Sequence, residues 1–219
     1  MVTSGTQVHR EAIVEHYRDL IASGLGTGSS GNLSTRVDGG MLITPTGIPA
    51  EHLTPDQPVH VSLDGEVSAG QLRPSSEWHM HAAVYRSRPE INAVVHCHSR
   101  YATILACANK PIPAIHYMIA ITQSDEVPVA PYATFGTNAL AESVVAGLVG
   151  RLASLLANHG QIAIGHDLDE AMRVAREVEE LASIYWGSLA IGGGHVLNQQ
   201  DMADVQAAFV TYGQQADSS

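Results

Sequence analysis

Apolar residues recur at helical spacing near the start of the chain and then change to strand-like runs. Residues 9–23 carry apolar side chains three and four positions apart, which predicts a helix ended by Gly24 and Gly26. Short apolar runs or alternation predict three strands in the stretch that follows, at 33–37, 41–44 and 59–63. The turn sequence Asp38-Gly39-Gly40 joins the first two of these strands, so the pattern indicates a β-hairpin.

Strand and helix signals are interspersed along the rest of the chain. Apolar runs predict extended segments at 93–98, at 127–132 and within 155–164. Cap residues followed by helical spacing predict helices at 77–86, 101–108, 138–148, 168–190 and 200–212. The residues expected to cap them are Ser75 or Ser76, Ser99, Thr137, and Asp167 in a capping box with Glu170. Gly192-Gly193-Gly194 is expected to end the longest helix.

This order of elements indicates an α/β fold. Strands joined by a hairpin early in the chain, with helices interspersed later, favour a sandwich built on a mainly antiparallel sheet. The chain has 219 residues and shows no internal repeat, low-complexity segment or long linker. We therefore expect residues 1–219 to form a single domain.

Charge and composition exclude several classes of partner. The formal net charge is −11 and no basic stripe is visible, which disfavours nucleic acid and anionic membranes as partners. No apolar run approaches the roughly 20 residues that span a bilayer, and the first residues are polar and charged. A cytoplasmic protein is expected, and its two cysteines do not build a disulfide framework.

The lysine content bears on carbonyl chemistry. Lys110 is the single lysine, and it lies in the loop sequence Ala-Asn-Lys-Pro-Ile-Pro. Schiff-base catalysis needs a lysine that is desolvated enough to be neutral, and a polar loop flanked by proline does not provide that. If the protein acts on carbonyl compounds, we expect a metal to stabilise the negative charge.

Two histidines on one predicted strand form the strongest local signal. In Val94-Val95-His96-Cys97-His98, residues i and i+2 of a strand point to the same face, so His96 and His98 project side by side. Two such imidazoles can bind one Zn²⁺, and Cys97 then points away as a packing residue. A pair of ordinary histidines at a strand end explains the spacing equally well.

Further metal ligands are less specific. His159, where an apolar run meets a glycine, is a candidate, although a histidine at such a strand end is more often structural. Glu77 is a candidate fourth group, although a carboxylate at a helix N-terminus is favourable without a metal. His79 and His81 on the same predicted helix are interpreted as packing or surface residues.

Three small polar clusters at element boundaries are candidates for binding a phosphate. Their hydroxyls and backbone N–H groups can cradle an anion where cations are scarce. Turn and cap chemistry also explains each cluster separately. The clusters are Ser29-Ser30-Gly31-Asn32, Thr46-Gly47 and Ser75-Ser76. None has the spacing of a Walker motif or of GxGxxG, so neither ATP nor NAD binding is inferred.

A set of motifs in fixed order covers nearly the whole chain. Beyond the clusters above, they include Met41-Leu42-Ile43-Thr44-Pro45-Thr46-Gly47, Pro74-Ser75-Ser76-Glu77-Trp78, Ile112-Pro113-Ala114-Ile115-His116-Tyr117, Ala130-Pro131-Tyr132-Ala133-Thr134-Phe135-Gly136-Thr137 and Asn158-His159-Gly160. With Ala93-Val94-Val95-His96-Cys97-His98, they resemble the class II aldolase/adducin family, and within it the L-fuculose-1-phosphate aldolases.

The resemblance implies an architecture and a set of site residues. It implies a three-layer sandwich with a central, mostly antiparallel sheet, assembled as a homotetramer with active sites at subunit interfaces. It assigns Zn²⁺, with Co²⁺ or Mn²⁺ as alternatives, to His96, His98, His159 and Glu77. It assigns the phosphate to Ser29, Asn32, Thr46, Gly47, Ser75 and Ser76. Tyr117 of a neighbouring subunit handles the proton on the aldehyde oxygen, Phe135 lines the aldehyde side, and Tyr212 lies on a closing C-terminal tail.

The resemblance also implies the reaction. A ketose 1-phosphate such as L-fuculose 1-phosphate is cleaved to dihydroxyacetone phosphate and a small aldehyde such as L-lactaldehyde, with Glu77 and Tyr117 as the catalytic residues. Aldolases acting on 5-deoxyribulose or 5-methylthioribulose 1-phosphate remain an alternative. A sugar-phosphate 4-epimerase is disfavoured because such enzymes carry an aspartate where Glu77 stands. A non-catalytic adducin-like module is disfavoured because the three histidines are all present.

Overall fold

The computed structural model of the chain describes residues 5–209, which form helices around one principal sheet. The α-helices of this part are α1 (Gly5–Ala22), α2 (Trp78–Ser87), α3 (Arg100–Cys107), α4 (Asn138–Gly147), α5 (Leu168–Ala190) and α6 (Gln199–Phe209). The strands are β1 (Asn32–Val37), β2 (Gly40–Ile43), β3 (Val59–Val61), β4 (Ala93–Cys97), β5 (Ile112–Pro113), β6 (Glu126–Val127), β7 (Val129–Ala130), β8 (Ala153–Leu156) and β9 (Gly160–Gly165). Two 3₁₀ segments cover Ala50–His52 and Tyr117–Thr122.

The principal sheet has seven strands in the order β3-β2-β1-β4-β9-β8-β7. Every neighbouring pair in it is antiparallel except β7 with β8, which is parallel. Strands β5 and β6 form a separate two-stranded sheet. The predicted α/β fold with a mostly antiparallel sheet is confirmed, and β4, which carries His96, lies at its centre.

Helices cover both faces of this sheet, and the alternation along β4 shows which helix covers which face. On one face, Cys97 pairs with Gln161 of β9, whose side-chain amide donates to the carbonyl of Ala175 in α5. On the other face, His96 pairs with Asn32 of β1, and Asn32 contacts residues at and inside the start of α2. The core therefore consists of two apolar layers, one on each side of the sheet.

Several helix boundaries follow the predicted capping chemistry. Asp167 accepts a hydrogen bond from the backbone N–H of Glu170 at 2.8 Å, and α5 runs over the predicted residues 168–190. The hydroxyl of Thr137 likewise accepts from the N–H of Leu140 at the start of α4. The carboxylate of Glu170 accepts from the N–H of His166 rather than from that of Asp167, which is a one-residue variant of the predicted box.

Two predicted caps make other hydrogen bonds than expected, although Ser99 does occupy the N-cap position of α3. The hydroxyl of Ser99 accepts from the side-chain amide of Gln161, and the N-terminus of α3 is capped by Glu179 of α5. The Glu179 carboxylate accepts from the N–H groups of Tyr101 and Ala102 at 2.8 and 2.9 Å, because a negative charge is favourable at a helix N-terminus. At the start of α2, the Ser75 hydroxyl accepts from the N–H of Glu77 at 3.3 Å, and Glu77 rather than a serine occupies the N-cap position.

The segment 155–164 contains parts of two strands instead of one. Strands β8 and β9 pair as a hairpin whose turn places Asn158 in the left-handed region, at φ 55°. Because both strands are buried along their whole length, their apolar run shows no alternation that would reveal the turn. Within residues 5–209, no helix is both long and apolar enough to cross a membrane. The single domain over 1–219 and the cytoplasmic location stay predictions.

Candidate active site and metal centre

Strand β4 and the residue after it present two imidazoles to the same side of the sheet. The Nε2 atoms of His96 and His98 lie 3.0 Å apart, and their ring centroids lie 4.8 Å apart. Cys97 between them is fully buried in the core. The period of two along a strand therefore places both histidines where the sequence predicts them.

The turn between β8 and β9 brings His159 to the same place. Its ring centroid lies 4.7 Å from that of His96 and 5.0 Å from that of His98. The ligand atoms of these three residues all lie within 4.8 Å of one another. Three imidazoles from distant parts of the chain therefore converge on one point, a contact that the spacing along the sequence does not reveal.

This convergence depends on a close approach of backbones at Gly160. A Cβ atom at this position would lie 2.4 Å from the carbonyl oxygen of Cys97 and 2.9 Å from Cδ2 of His98. Only glycine lets the turn lie this close to the end of β4. Gly31 also permits a close backbone approach, since a Cβ atom at this position would lie 2.8 Å from the carbonyl oxygen of His96.

The hydrogen bonds of His96 fix its tautomer. Its Nδ1–H donates to the backbone carbonyl of Gln161 at 2.8 Å, which leaves the Nε2 lone pair directed at the cluster. Burial lowers the pKa of His96 to about 3, and burial also lowers the pKa of His98. Both rings are therefore neutral at physiological pH and offer lone pairs to a cation.

Glu77 completes the cluster from the start of α2. Its Oε1 lies 3.2 Å from Nε2 of His159, and its Oε2 lies 3.4 Å from Nε2 of His96. The side-chain amide of Asn32 donates to Oε2 at 2.9 Å, whereas the buried Oε1 has no polar neighbour that donates to it apart from the His159 ring. Burial alone would raise the pKa of Glu77, but the adjacent His96 and His159 and the hydrogen bond from Asn32 lower it below its usual range.

This donor set fits a divalent metal such as zinc. Neutral imidazole nitrogens and a carboxylate are common zinc ligands, and a tetrahedral site with bonds of 2.0–2.1 Å has edges of roughly 3.3 Å. The separations of 3.0, 3.2 and 3.4 Å between the ligand atoms are close to that value. A buried carboxylate oxygen with no donor other than the His159 ring would be satisfied by a cation.

A pocket of about 330 Å³ is lined by three of the four candidate metal ligands and by the predicted phosphate residues, with the buried His96 behind it. Its described lining residues are Ser29, Ser30, Gly31, Asn32, Pro45, Thr46, Gly47, Ser75, Ser76, Glu77, His98, Phe135 and His159. None of these is lysine or arginine, so a phosphate here would be bound by hydroxyls, backbone N–H groups and the cation. Phe135 lines the same pocket with about 63% of its surface exposed.

Two of the small polar clusters are held together by the backbone. The N–H of Ser75 donates to the carbonyl of Thr44 at 3.0 Å, and the N–H of Thr46 donates to the carbonyl of Arg73 at 3.1 Å. This short pairing places Thr46 and Gly47 beside Ser75 and Ser76, although they are far apart in the chain. The three predicted clusters therefore form one pocket.

Among the described residues of one chain, Tyr117 does not line this pocket. Tyr117, at the start of a 3₁₀ segment, is about half exposed and packs near His116 and Phe209, with ring centroids 4.9 and 6.5 Å away. This location is compatible with a role in a neighbouring subunit, which stays a prediction. Tyr212 lies outside the described residues.

One set of polar residues behind the site was missed in the sequence. His81, interpreted as a packing or surface residue, is fully buried and bonded to Asn32 and Ser34. With Glu77 and Tyr85 it recurs every fourth residue at the start of α2, which is a polar stripe on one helix face. This four-residue spacing of polar residues was the feature of the sequence that could have indicated their shared role.

Comparison with known proteins supports the predicted resemblance. The sequence model of the family described as Class II Aldolase and Adducin N-terminal domain matches residues 11–186. An L-fuculose phosphate aldolase of Escherichia coli O6:H1 is 47% identical over 202 residues, which cover 92% of this chain and 94% of that protein. A 5-methylthioribulose-1-phosphate/5-deoxyribulose-1-phosphate aldolase of Rhodospirillum rubrum is 42% identical over 207 residues, which cover 94% and 93%.

The fold is also similar to that of a solved structure. A structure described as L-fuculose 1-phosphate aldolase superposes with a TM-score of 0.90 at 37% identity, covering 95% of this chain and 98% of its own. The sheet order and the helices on both faces are therefore those of a known enzyme fold.

Proposed function

The chain belongs to the class II aldolase and adducin family, and from that premise we propose its reaction, substrate and metal. It is a class II aldolase, a metal-dependent aldehyde-lyase. We propose that it cleaves L-fuculose 1-phosphate, or a ketose 1-phosphate of the same form, into dihydroxyacetone phosphate and L-lactaldehyde. Zinc is the proposed metal.

The observation that supports this proposal is the shared pocket. The ligand atoms of His96, His98, His159 and Glu77 lie close together, and the pocket that three of them line is also lined by neutral donors suited to a phosphate. A divalent cation held by these residues would supply the Lewis acid that stabilises the negative charge left on the substrate oxygens when the carbon–carbon bond breaks. The chain itself binds the phosphate, orients the triose half and moves the protons.

Glu77 is proposed to exchange the proton on C3 of the triose phosphate. Because its pKa is low, the carboxylate is ionised and acts as the base in the synthesis direction, taking a proton from C3. By microscopic reversibility, the same group delivers the proton to C3 in the cleavage direction. The carboxylate is buried and held by Asn32, so it is oriented before the substrate arrives.

Tyr117 of a neighbouring subunit is proposed to handle the proton on the aldehyde oxygen. In one chain it lies outside the pocket and is half exposed among apolar neighbours, which is compatible with an interface between copies of the chain. We therefore propose a homotetramer with its active sites at subunit interfaces. Phe135, exposed at the pocket, is proposed as the wall for the aldehyde half, and Tyr212 as a residue of a closing tail.

The choice among ketose phosphates rests on the aldehyde half. Relatives named for L-fuculose phosphate and for 5-methylthioribulose or 5-deoxyribulose 1-phosphate are 47% and 42% identical to this chain. Both groups of substrates share the phosphate and the triose half, so the pocket residues named above serve either. L-Fuculose 1-phosphate is the substrate we propose, and the other two are the alternatives.

A product assay tests the proposal. Purified protein with zinc is supplied with each ketose 1-phosphate, and dihydroxyacetone phosphate is measured by its reduction with NADH in a coupled assay. We expect product with the highest kcat/KM for L-fuculose 1-phosphate, and at least about 100-fold slower formation of it with Glu77→Gln. Conversion of a ketose phosphate to its 4-epimer without release of dihydroxyacetone phosphate would instead identify an epimerase.

A further inference from the structure

We propose that His81 is a positioning residue, which acts through Asn32 to hold the carboxylate of Glu77 in place at the metal centre. His81 touches neither the substrate pocket nor the three ligand histidines among the described contacts. Its effect is to decide which end of the Asn32 amide faces Glu77. The inference rests on the proposed function for the role of Glu77.

The arrangement arises from a match between a helix and a strand. Glu77, His81 and Tyr85 recur every four residues along α2, a rise of about 6 Å per step. Asn32 and Ser34 recur every two residues on one face of β1, a rise of about 6.6 Å per step. The two polar rows therefore stay opposite each other and interlock.

The contacts between the rows form one continuous chain. Asn32 lies between Glu77 and His81, at 2.9 Å from Glu77 Oε2 and 2.6 Å from His81 Nε2. Ser34 lies between His81 and Tyr85, at 2.7 Å from His81 Nδ1 and 2.7 Å from the Tyr85 hydroxyl. All five residues are buried, and because only Asn32 and Glu77 also line the pocket, the bonds of His81 and Ser34 are shielded from bulk water.

The chemistry of the groups fixes the direction of every bond. An ionised carboxylate only accepts, so Asn32 presents its NH₂ group to Glu77 and its oxygen to His81. His81 must then carry its proton on Nε2, which leaves Nδ1 as an acceptor. Ser34 donates to that nitrogen and accepts from the Tyr85 hydroxyl. Each donor points towards Glu77.

Glu77 and the Nε2–H tautomer of His81 together disfavour the other orientation of the Asn32 amide. If the amide rotated by half a turn, its oxygen would face the Glu77 carboxylate and the two would repel each other. Without an N–H group at the position of His81 Nε2, the contacts of Asn32 on the side away from Glu77 no longer favour one orientation of the amide over the other. Removal of a residue that supports a metal ligand by hydrogen bonding typically changes metal affinity or activity by roughly 10–100-fold.

A pair of variants that differ only in polarity tests the proposal. His81→Met and His81→Gln have nearly the same shape, but only glutamine offers an N–H group to Asn32. We expect His81→Met to lower the zinc affinity of the metal-free protein, measured by competition with a chromophoric chelator, and kcat by roughly 10–100-fold. The His81→Gln variant is expected to recover most of both values.

Two more variants keep the test decisive if the methionine variant fails to fold. Ser34→Ala removes the donor to Nδ1, leaves His81 in place, and is expected to lower zinc affinity severalfold. Thr122→Val removes a buried hydroxyl that donates to the Ile119 carbonyl, outside the chain of bonds, and is the control for lost stability alone. It is expected to leave zinc affinity unchanged.

Wild-type zinc affinity in His81→Met, or in Ser34→Ala where the methionine variant does not fold, would overturn the proposal. Equal losses in His81→Met and His81→Gln would do the same, because a role in packing alone does not distinguish them. Crystals of His81→Met are expected to show a changed hydrogen-bond pattern at Asn32. Wild-type protein that binds zinc but cleaves no ketose phosphate would count against the proposed function, while the zinc titrations would still decide the role of His81.

Discussion

Oε1 of Glu77 lies 3.2 Å from Nε2 of His159, and the two residues, 82 positions apart in the chain, line the same pocket. Glu77 precedes α2, whereas His159 lies in the turn between β8 and β9. Apart from this imidazole the buried oxygen has no hydrogen-bond partner, and the separation is that of two ligands of one cation.

Removal of the metal is expected to abolish activity without unfolding the chain. The site has three imidazoles and a carboxylate on elements that are also held by a buried core, so the fold does not depend on the metal. After treatment with a chelator, dihydroxyacetone phosphate formation should fall to background, while the circular dichroism spectrum is retained. Addition of zinc, and to a different extent of Co²⁺ or Mn²⁺, should restore the formation of dihydroxyacetone phosphate. Full activity in demonstrably metal-free protein would contradict the proposed centre.

Glu77→Gln is expected to lower kcat by about 10²–10⁴-fold, because the amide keeps the shape of the side chain but exchanges no proton. A second measurement separates this role from metal binding. In D₂O, wild-type protein should exchange one C3 proton of dihydroxyacetone phosphate, observed by NMR, and the zinc-loaded variant should not. Exchange at the wild-type rate in the variant would remove Glu77 from the proton transfer.

Gly160→Ala is expected to displace the turn that carries His159. The new Cβ would lie 2.4 Å from the Cys97 carbonyl oxygen, so the turn must move away from β4. Zinc affinity should fall by at least about 10-fold, as when the support of a ligand is lost. Gly187→Ala in α5 is the matched control, since its Cβ meets nothing within 4 Å and alanine favours a helix. Unchanged zinc affinity in Gly160→Ala would show that the close approach is not needed.

Tyr117→Phe tests whether this tyrosine acts in a neighbouring subunit. The variant alone is expected to lose most of its activity, as is Glu77→Gln. When the two inactive variants are assembled together, some sites combine an intact Glu77 with an intact Tyr117 from another chain. Random mixing in a ring should then restore roughly a quarter of the wild-type activity. No recovery in mixed assemblies of confirmed composition would place Tyr117 outside the neighbouring site.

The stability of the metal-free protein is expected to fall as the pH falls from 6.5 to 4. Burial lowers the pKa of His81 from 6.5 to about 4, although the nearby Glu77 charge opposes the shift, so the unfolded chain binds a proton where the folded chain does not. The contribution of His81 is complete above pH 6.5, and roughly 3 kcal/mol of it is lost by pH 4.

Urea unfolding at pH 7.5 and pH 5, compared between wild type and His81→Gln, measures this contribution. The wild type should lose about 2 kcal/mol more than the variant between the two values, since His96 and the other groups titrate in both proteins. The same pH dependence in both proteins would show that His81 is not held neutral in the folded state.

Features that depend on local periodicity were predictable from the sequence. The period of two along β4 placed His96 and His98 on one face, and the cap Asp167 marked the start of α5. The hairpin of β1 and β2 followed from its turn residues. In each case the information lies within a few residues, because the geometry of a strand, a turn or a helix end is set by its own segment.

Contacts between residues that are distant in the sequence were set by the tertiary structure. His159 and Glu77 each had a structural explanation in the sequence, and only the order of the strands and the packing of α2 on β1 bring them to His96. The cap that Glu179 gives to α3 arises in the same way. Sequence periodicity specifies which face a side chain occupies but carries no distance between elements, and that distance is set when the apolar faces of sheet and helices pack together.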